Sequence, residues 1–354
     1  MPRKPDLSGI RRKLGIGSLW FLILCPLFVF PQQTKDSEER RRQSKPELEQ
    51  SIPPPRDKGY TIGVNVDLVL MYTSVFDKKT GHFAAGLKQD SFKLYEDGVQ
   101  QAITAFSQED VPVSMGILLD LSGSMRSKID QVNKAALAFI RASNPKDQVF
   151  LIGFNDEVEL LQDYTSDIDE ITDSLDNIVV TGGTALYDAV YLGVQKSQSG
   201  SRPKKAVVVI SDGEDRDSYY KLDELVAKVQ ELDVQIFSIG FVNAVEDKGF
   251  FGRWSKSAPE KAHRALVRIS EETGGKAFFP GKVTDIHSVV AEIASDLRSQ
   301  YSIGYFSSNA ARDGTFRRVK IELDGPVAAK CQARYRRGYY APKSSRQSPV
   351  AGRQ

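Results

Sequence analysis

The stretch Met115-Gly-Ile-Leu-Leu-Asp-Leu-Ser-Gly-Ser-Met125 decides the reading of the whole chain. Its first half is a short run of apolar residues, as in a strand buried on both faces. Its second half, Asp120-Leu121-Ser122-Gly123-Ser124, alternates a carboxylate with two hydroxyls, and Gly123 permits a tight turn. Downstream, Ile129, Val132, Ala136, Phe139 and Ile140 recur at helical spacing. The order is therefore strand, polar loop, helix. Open α/β sheets bind their ligands at the edge where such loops leave the strands.

The alternation continues. Strands are predicted at Asp147 to Phe154, with a hairpin return from Glu157 to Leu161, then at 206–210, Val234 to Phe241 and Lys276 to Phe279. The run Ala206-Val-Val-Val-Ile210 is β-branched, as a central strand covered on both faces requires. Helices are predicted at Ile168 to Leu175, Ala185 to Gln195, Leu222 to Leu232, Ala262 to Thr273 and Ile286 to Leu297. The fold class is α/β: a doubly wound, Rossmann-like domain over 113–300 with a mostly parallel central sheet. Asn243 to Pro259 reads as an inserted loop.

Both flanks read as β-structure. Residues 59–112 hold an alternating run from Tyr60 to Val75 and an Asp97-Gly98 hairpin signal. Residues 301–342 offer strands at Tyr301 to Phe306, Arg317 to Leu323 and Cys331 to Tyr340. These N- and C-terminal strands are expected to complete one β-sandwich-like module, with the α/β domain inserted between its halves. The tail 343–354 reads as disordered.

The N-terminus has its own logic. Arg3, Lys4, Arg11, Arg12 and Lys13 precede an uncharged segment, densely apolar from Leu19 to Phe30. Residues 1–31 read as a signal peptide or signal anchor, so the rest is expected to be exported: periplasmic, secreted, or membrane-anchored and facing outward. Residues 32–58, with Glu38-Glu-Arg-Arg-Arg42 and Pro53-Pro-Pro55, read as a disordered linker. With the signal removed, Cys331 is the remaining cysteine of two, and it reads as a buried strand residue. Lys+Arg total 48 against 46 Asp+Glu, which argues against nucleic-acid binding. His82, His263 and His287 show no metal-ligand spacing.

Hydroxyl and carboxylate oxygens without histidine or thiolate suit a hard cation, Mg²⁺ before Zn²⁺, with Mn²⁺ or Ca²⁺ as alternatives. Two further loops offer oxygens at the same sheet edge: Thr181-Gly-Gly-Thr184 before a helix, and Asp212-Gly213 after the central strand. Three hydroxyls, two carboxylates and a solvent position would fill an octahedral shell. If the carboxylates act mostly through water, the ion stays electrophilic and an acidic residue from a partner can take the open position.

The set Asp120-x-Ser122-x-Ser124, Thr184 and Asp212 resembles the metal-ion-dependent adhesion site of von Willebrand factor type A domains. The flanks, with Tyr95-Glu-Asp-Gly98 and Arg337-Gly-Tyr-Tyr-Ala-Pro342, resemble an Acidobacteria-type subgroup of that family. The resemblance implies direct metal binding by the hydroxyls of Ser122, Ser124 and Thr184, and action largely through water by Asp120 and Asp212. It implies protein ligands, often bound through an acidic group, sometimes with a shift of the last helix.

Other residues carry blander expectations. Glu214, Asp215 and Asp217 read as solvated acids, and Asn155-Asp156 as a hairpin turn at the far end of an edge strand, without a site role. Tyr187 and Asp188 line the rim or pack the helix. Trp254, with Phe250, Phe251 and Arg253, anchors a partner or packs the inserted loop. Arg334, Arg336 and Arg337 read as a solvated strand face. The functional expectation is a non-enzymatic adhesion-type protein, with membrane contact only through the N-terminal anchor. Two alternatives stand beside it: a Mg²⁺-dependent hydrolase, which lacks a visible general base, and a module whose metal only braces the loops.

Overall fold

The computed structural model describes residues 67–141, 143–241 and 258–343. The expected signal segment, linker and C-terminal tail, the start of the first strand, and Phe250, Phe251, Arg253 and Trp254 lie outside the described residues. Among those described, no helix is long and apolar enough to cross a membrane.

The chain opens with β1 (Leu68–Asp77), β2 (Phe92–Glu96), β3 (Val99–Gln101) and β4 (Ile103–Ser107). The α/β section follows as β5 (Val113–Asp120), α1 (Ile129–Arg141), β6 (Gln148–Phe154), β7 (Val158–Thr165), α2 (Ile168–Asp176) and α3 (Leu186–Ser197). It continues through β8 (Lys204–Ser211), α4 (Leu222–Gln230), β9 (Gln235–Gly240), α5 (Ala258–Glu272), β10 (Ala277–Phe278) and α6 (Ile286–Ser299). The last elements are β11 (Tyr301–Phe306), β12 (Phe316–Leu323), α7 (Pro326–Lys330), β13 (Cys331–Arg334) and β14 (Gly338–Tyr340).

The central sheet runs β10-β9-β8-β5-β6-β7. All its pairings are parallel except β6 with β7. Every residue of β5 is buried, because its two faces belong to two cores. Met115, Ile117 and Leu119 pack with residues of α1, α2 and α6, while Leu118 packs with residues of α3, α4 and α5. Gly116 makes room for a ring: a Cβ there would lie 2.2 Å from Cζ of Phe150.

Two antiparallel sheets, β13-β1-β11-β4 and β14-β12-β2-β3, share a third core that includes Met71, Leu94, Tyr301, Ile303, Tyr305 and Val319. N- and C-terminal strands interleave in both, Val69 facing Tyr305 and Leu94 facing Ile321. The expected Asp97-Gly98 hairpin has φ of 47° and 84°, the double positive of a two-residue turn. The last predicted strand is two. β13 pairs with β1 and β14 with β12, so the chain must change sheets between Tyr335 and Arg337.

Arg334 and Arg336 are not solvated, which corrects the sequence reading for these two; Arg337 is exposed, as that reading has it. Arg334 is ion-paired with buried Asp296 of α6. Arg336 pairs with Asp233 at 2.8 Å and donates to Leu70 O at 2.9 Å. Ser74 of β1 donates to the same Asp296 at 2.5 Å. Nearby, Lys204 is 1% exposed, donates to Leu297 O at 2.7 Å and lies 4.8 Å from the Tyr72 ring. Burial, only partly offset by Asp296 and other acids, pulls its ammonium down to about 8. The folded state thus binds fewer protons than the unfolded one between pH 8 and the ordinary lysine value of about 10.4. Stability from this residue rises with pH across that window. The expected result is that the melting temperature of wild type gains on that of Lys204→Met between pH 8 and 10; a constant gap would refute it.

Candidate functional site

Strand register brings the predicted loops to one edge. Asp120 ends β5 opposite Phe154, Leu119 is level with Ile210, and β8 ends at Ser211 beside Asp212. At this edge the chain turns at once. Leu121 N–H donates to Phe154 O at 2.7 Å, and Gly123–Met125 form a single tight helical turn.

Asp120 is 1% exposed and organises the loop. One carboxylate oxygen accepts from Ser122 N–H at 2.9 Å, the other from Ser211 Oγ at 2.5 Å. Ser122 Oγ and Ser124 Oγ are 3.0 Å apart. Ser122 is buried and Ser124 exposed, so the pair runs from interior to surface. The second loop is stitched on by main-chain bonds: Thr181 N–H to Leu121 O at 2.9 Å and Gly123 N–H to Gly182 O at 3.3 Å. Asp212 is half-buried, and its oxygen accepts from Glu214 N–H at 3.3 Å.

Several acids expected to be idle hold these loops. Asp217 accepts from Thr184 N–H at 2.8 Å, while Arg216 and Asp217 N–H donate back to Thr184 O at 3.0 and 3.2 Å. Asp215 accepts from Ser218 Oγ at 2.5 Å and from Tyr187 N–H at 3.2 Å. Asp188 takes the N–H groups of Tyr219 and Tyr220 at 2.9 and 3.1 Å. Only Glu214 is spent on a local salt bridge, with Arg216. The Asn155-Asp156 turn is also corrected. Because β6 runs parallel to β5, the turn lies at the site edge rather than the far end. Asn155 O accepts from Ala185 N–H at 2.5 Å and Asp156 from Gly183 N–H at 3.3 Å.

The two glycines between Thr181 and Thr184 are needed for this packing. Gly182 has φ of 82°, and a Cβ on Gly183 would lie 1.9 Å from the Asp217 oxygen. Gly183→Ala is expected to displace Asp217 and so loosen the Thr184 loop. The measurement is amide hydrogen exchange, which should accelerate at Thr184 while the β8 core amides stay protected. Unchanged exchange at Thr184 would refute the role assigned to Asp217.

The electrostatics favour a cation. Burial, and in smaller part the neighbouring charge of Asp212, push the Asp120 carboxyl above the ordinary value, against the pull of its serine hydrogen bonds. Among the described residues no ion pair reaches Asp120 or Asp212; Arg216, the basic residue of this loop, is taken by Glu214. A bound cation inverts that penalty. Among the described residues no three His, Cys, Asp or Glu side chains are grouped to hold a metal. The donor set is instead hydroxyl-rich with two carboxylates, which fits a hard, oxygen-seeking ion. The histidines take no part: His263 stacks on Phe279 at 3.9 Å, and His82 and His287 are exposed.

Ser211 is the residue that sequence reasoning missed. Its hydroxyl also accepts from Gly213 N–H at 2.9 Å, so it links Asp120 to the Asp212 loop. Its place as the last residue of β8, just before Asp212, was the available signal.

The family model for the von Willebrand factor type A domain matches residues 115–292. An uncharacterized protein of Borreliella burgdorferi is 23% identical over 224 residues, 59% of this chain and 61% of that protein. The chain therefore spans about three-fifths of the length of this curated relative. Among solved structures, a von Willebrand factor type A protein from Catenulispora acidiphila aligns with a TM-score of 0.44 and 11% identity, over 78% of this chain and 73% of that one. An aerotolerance-related membrane protein from Bacteroides fragilis aligns with a TM-score of 0.42 and 17% identity, over 52% and 98% of the two chains.

Proposed function

The chain belongs to the von Willebrand factor type A domain family, and from that premise we propose that it is an exported, non-enzymatic binding protein that captures a protein partner through a divalent cation. The family's domains are interaction modules. The cation, Mg²⁺ before Mn²⁺ or Ca²⁺, would be held by Asp120, Ser122, Ser124, Thr184 and Asp212. When bound, it supplies an electrophilic point that accepts a carboxylate oxygen from the partner.

One observation carries this reading. A buried carboxylate, Asp120, lies beside a second acid and beside two hydroxyls 3.0 Å apart, with no ion pair among the described residues. An arrangement that repels itself when empty is costly, and a cation offsets the cost. The chain's own contribution is rigidity. Ser211, Asp156 and Asp217 hold the three loops in register, so little ordering remains to be done on binding.

The test is capture from an envelope fraction on immobilised protein, in Mg²⁺ and in excess EDTA. Capture is expected in Mg²⁺ only, and Asp212→Asn should abolish it. Equal capture in EDTA would overturn the proposal.

A further inference from the structure

A cleft of about 1490 Å³ opens between the β10 edge of the central sheet and the sandwich. None of its lining residues lies on the loops that carry Asp120, Thr184 or Asp212. Two strand edges open onto it. Among the described residues β10 and β13 each end their sheet, paired on one side only.

The hydrogen-bond phase tells which main-chain groups face outward. Ser238 N–H donates to Lys276 O at 3.1 Å, and Ala277 is the ladder partner of Ser238. In a parallel ladder the residue between two bonded neighbours turns its own N–H and C=O the other way, so Ala277 presents both outward. On β13, Lys78 N–H donates to Lys330 O at 2.8 Å, which sets the bonded pairs at Phe76 with Gln332 and Ser74 with Arg334. The alternation leaves Ala333 with both main-chain groups pointing away from β1. Ala277 and Ala333 both line the cleft.

The cleft exceeds the roughly 300–1,000 Å³ of small-molecule sites. Open main-chain edges instead fit an extended polypeptide that pairs by strand addition. Charge selects its chemistry. The glutamates of the cleft are engaged: Glu292 by Lys276 at 2.5 Å, Glu271 and Glu272 by Arg337 at 3.5 and 3.6 Å. Arg318 also lines the cleft, is exposed, and forms no ion pair among the described residues.

The geometry points to a second binding site, in which an extended acidic segment of another protein adds as a β-strand along the Ala333 edge, facing Ala277, with an acid on Arg318. This site owes nothing to the cation: main-chain pairing holds its occupant, and Arg318 selects for an acid.

The probe is a random dodecapeptide library displayed against the full chain in EDTA, which silences the proposed cation site. Enriched sequences are expected to carry an acidic residue within a period-2 pattern. A peptide made from them should lose about tenfold in affinity on Ala333→Pro, the equivalent of one net hydrogen bond. That proline removes only the outward N–H, and edge strands tolerate it. Arg318→Glu should weaken the peptide similarly, N-methylation of its alternate amides should abolish binding, and Mg²⁺ should change nothing. Should Ala333→Pro fail to fold, Arg318→Glu and the N-methylated peptide still decide. No enrichment, or binding indifferent to N-methylation and to Arg318→Glu, overturns the proposal. So does tighter binding after removal of residues 1–58 or 344–354, since the occupant would then be the chain itself.

Discussion

Glu96→Ala is expected to destabilise the sandwich by about 3–5 kcal/mol, the usual cost of removing one member of a buried ion pair. Glu96, at the end of β2, accepts from Ser307 Oγ at 2.5 Å, Tyr305 OH at 2.8 Å, Tyr339 OH at 2.9 Å and Arg317 at 3.2 Å. These donors come from β11, the segment after it, β12 and β14, so one carboxylate joins the N-terminal strands to the C-terminal ones. Its removal leaves a guanidinium that is 1% exposed with the carbonyls of Asn309 and Ala311, Ser307 Oγ at 3.4 Å, and a longer pairing of 3.8 Å to the exposed Asp313. Burial pushes the Glu96 carboxyl up, but the four hydrogen-bond donors outweigh it and hold the group below its ordinary value. The sign follows: this stability is present above the unfolded carboxyl value of about 4.3 and fades as pH falls from there through the folded value. Urea unfolding at pH 7 and again near pH 3 checks both parts. The gap between wild type and Glu96→Ala should be wide at pH 7 and narrow in acid. A gap under 1 kcal/mol at pH 7 would show that the network is not a clamp.

This network also marks the limit of sequence reading. The central sheet was legible because burial on both faces leaves continuous runs such as 206–210, and the loop after Asp120 because chemistry interrupts such a run. Tyr95-Glu-Asp-Gly98 and Arg337-Gly-Tyr-Tyr-Ala-Pro342 were visible as motifs, but their physical content was not. Glu96 and Tyr339 meet across a separation that only the interleaved sheets close. The same holds for Arg334 and Asp296. An arginine on an alternating strand looks solvated until the facing layer supplies its acid. Asp217 reads as a solvated acid, and Asp156 as a turn residue without a site role, for a related reason: an acid that accepts a backbone N–H from a distant loop has no local signature. The place of the Asn155-Asp156 turn follows from topology rather than from local sequence: a hairpin that follows a strand parallel to β5 must emerge beside the end of β5.

Asp120→Asn is expected to remove the cation response of the domain without weakening the apo fold. The substitution keeps shape: its amide oxygen can still accept from Ser122 N–H, and its NH2 can donate to Ser211 Oγ, which turns from donor to acceptor. It deletes one of two neighbouring charges, so in EDTA the variant should melt at or above wild type, since sites held in unfavourable electrostatics trade stability for function. Added Mg²⁺ separates the two proteins. A ligand at 100 times its dissociation constant stabilises by about 2.7 kcal/mol, which in a domain of 150–250 residues raises the melting temperature by roughly 5–10 °C. Wild type should show that rise and Asp120→Asn none. The opposite signs distinguish a binding site from a structural brace: a carboxylate that merely braced the loops would cost stability in EDTA when its charge-assisted bonds to Ser122 and Ser211 became neutral ones. Wild type indifferent to Mg²⁺, Mn²⁺ and Ca²⁺ at millimolar concentration would remove the cation from the account altogether, and would leave the buried pair of Asp120 and Asp212 in need of another explanation.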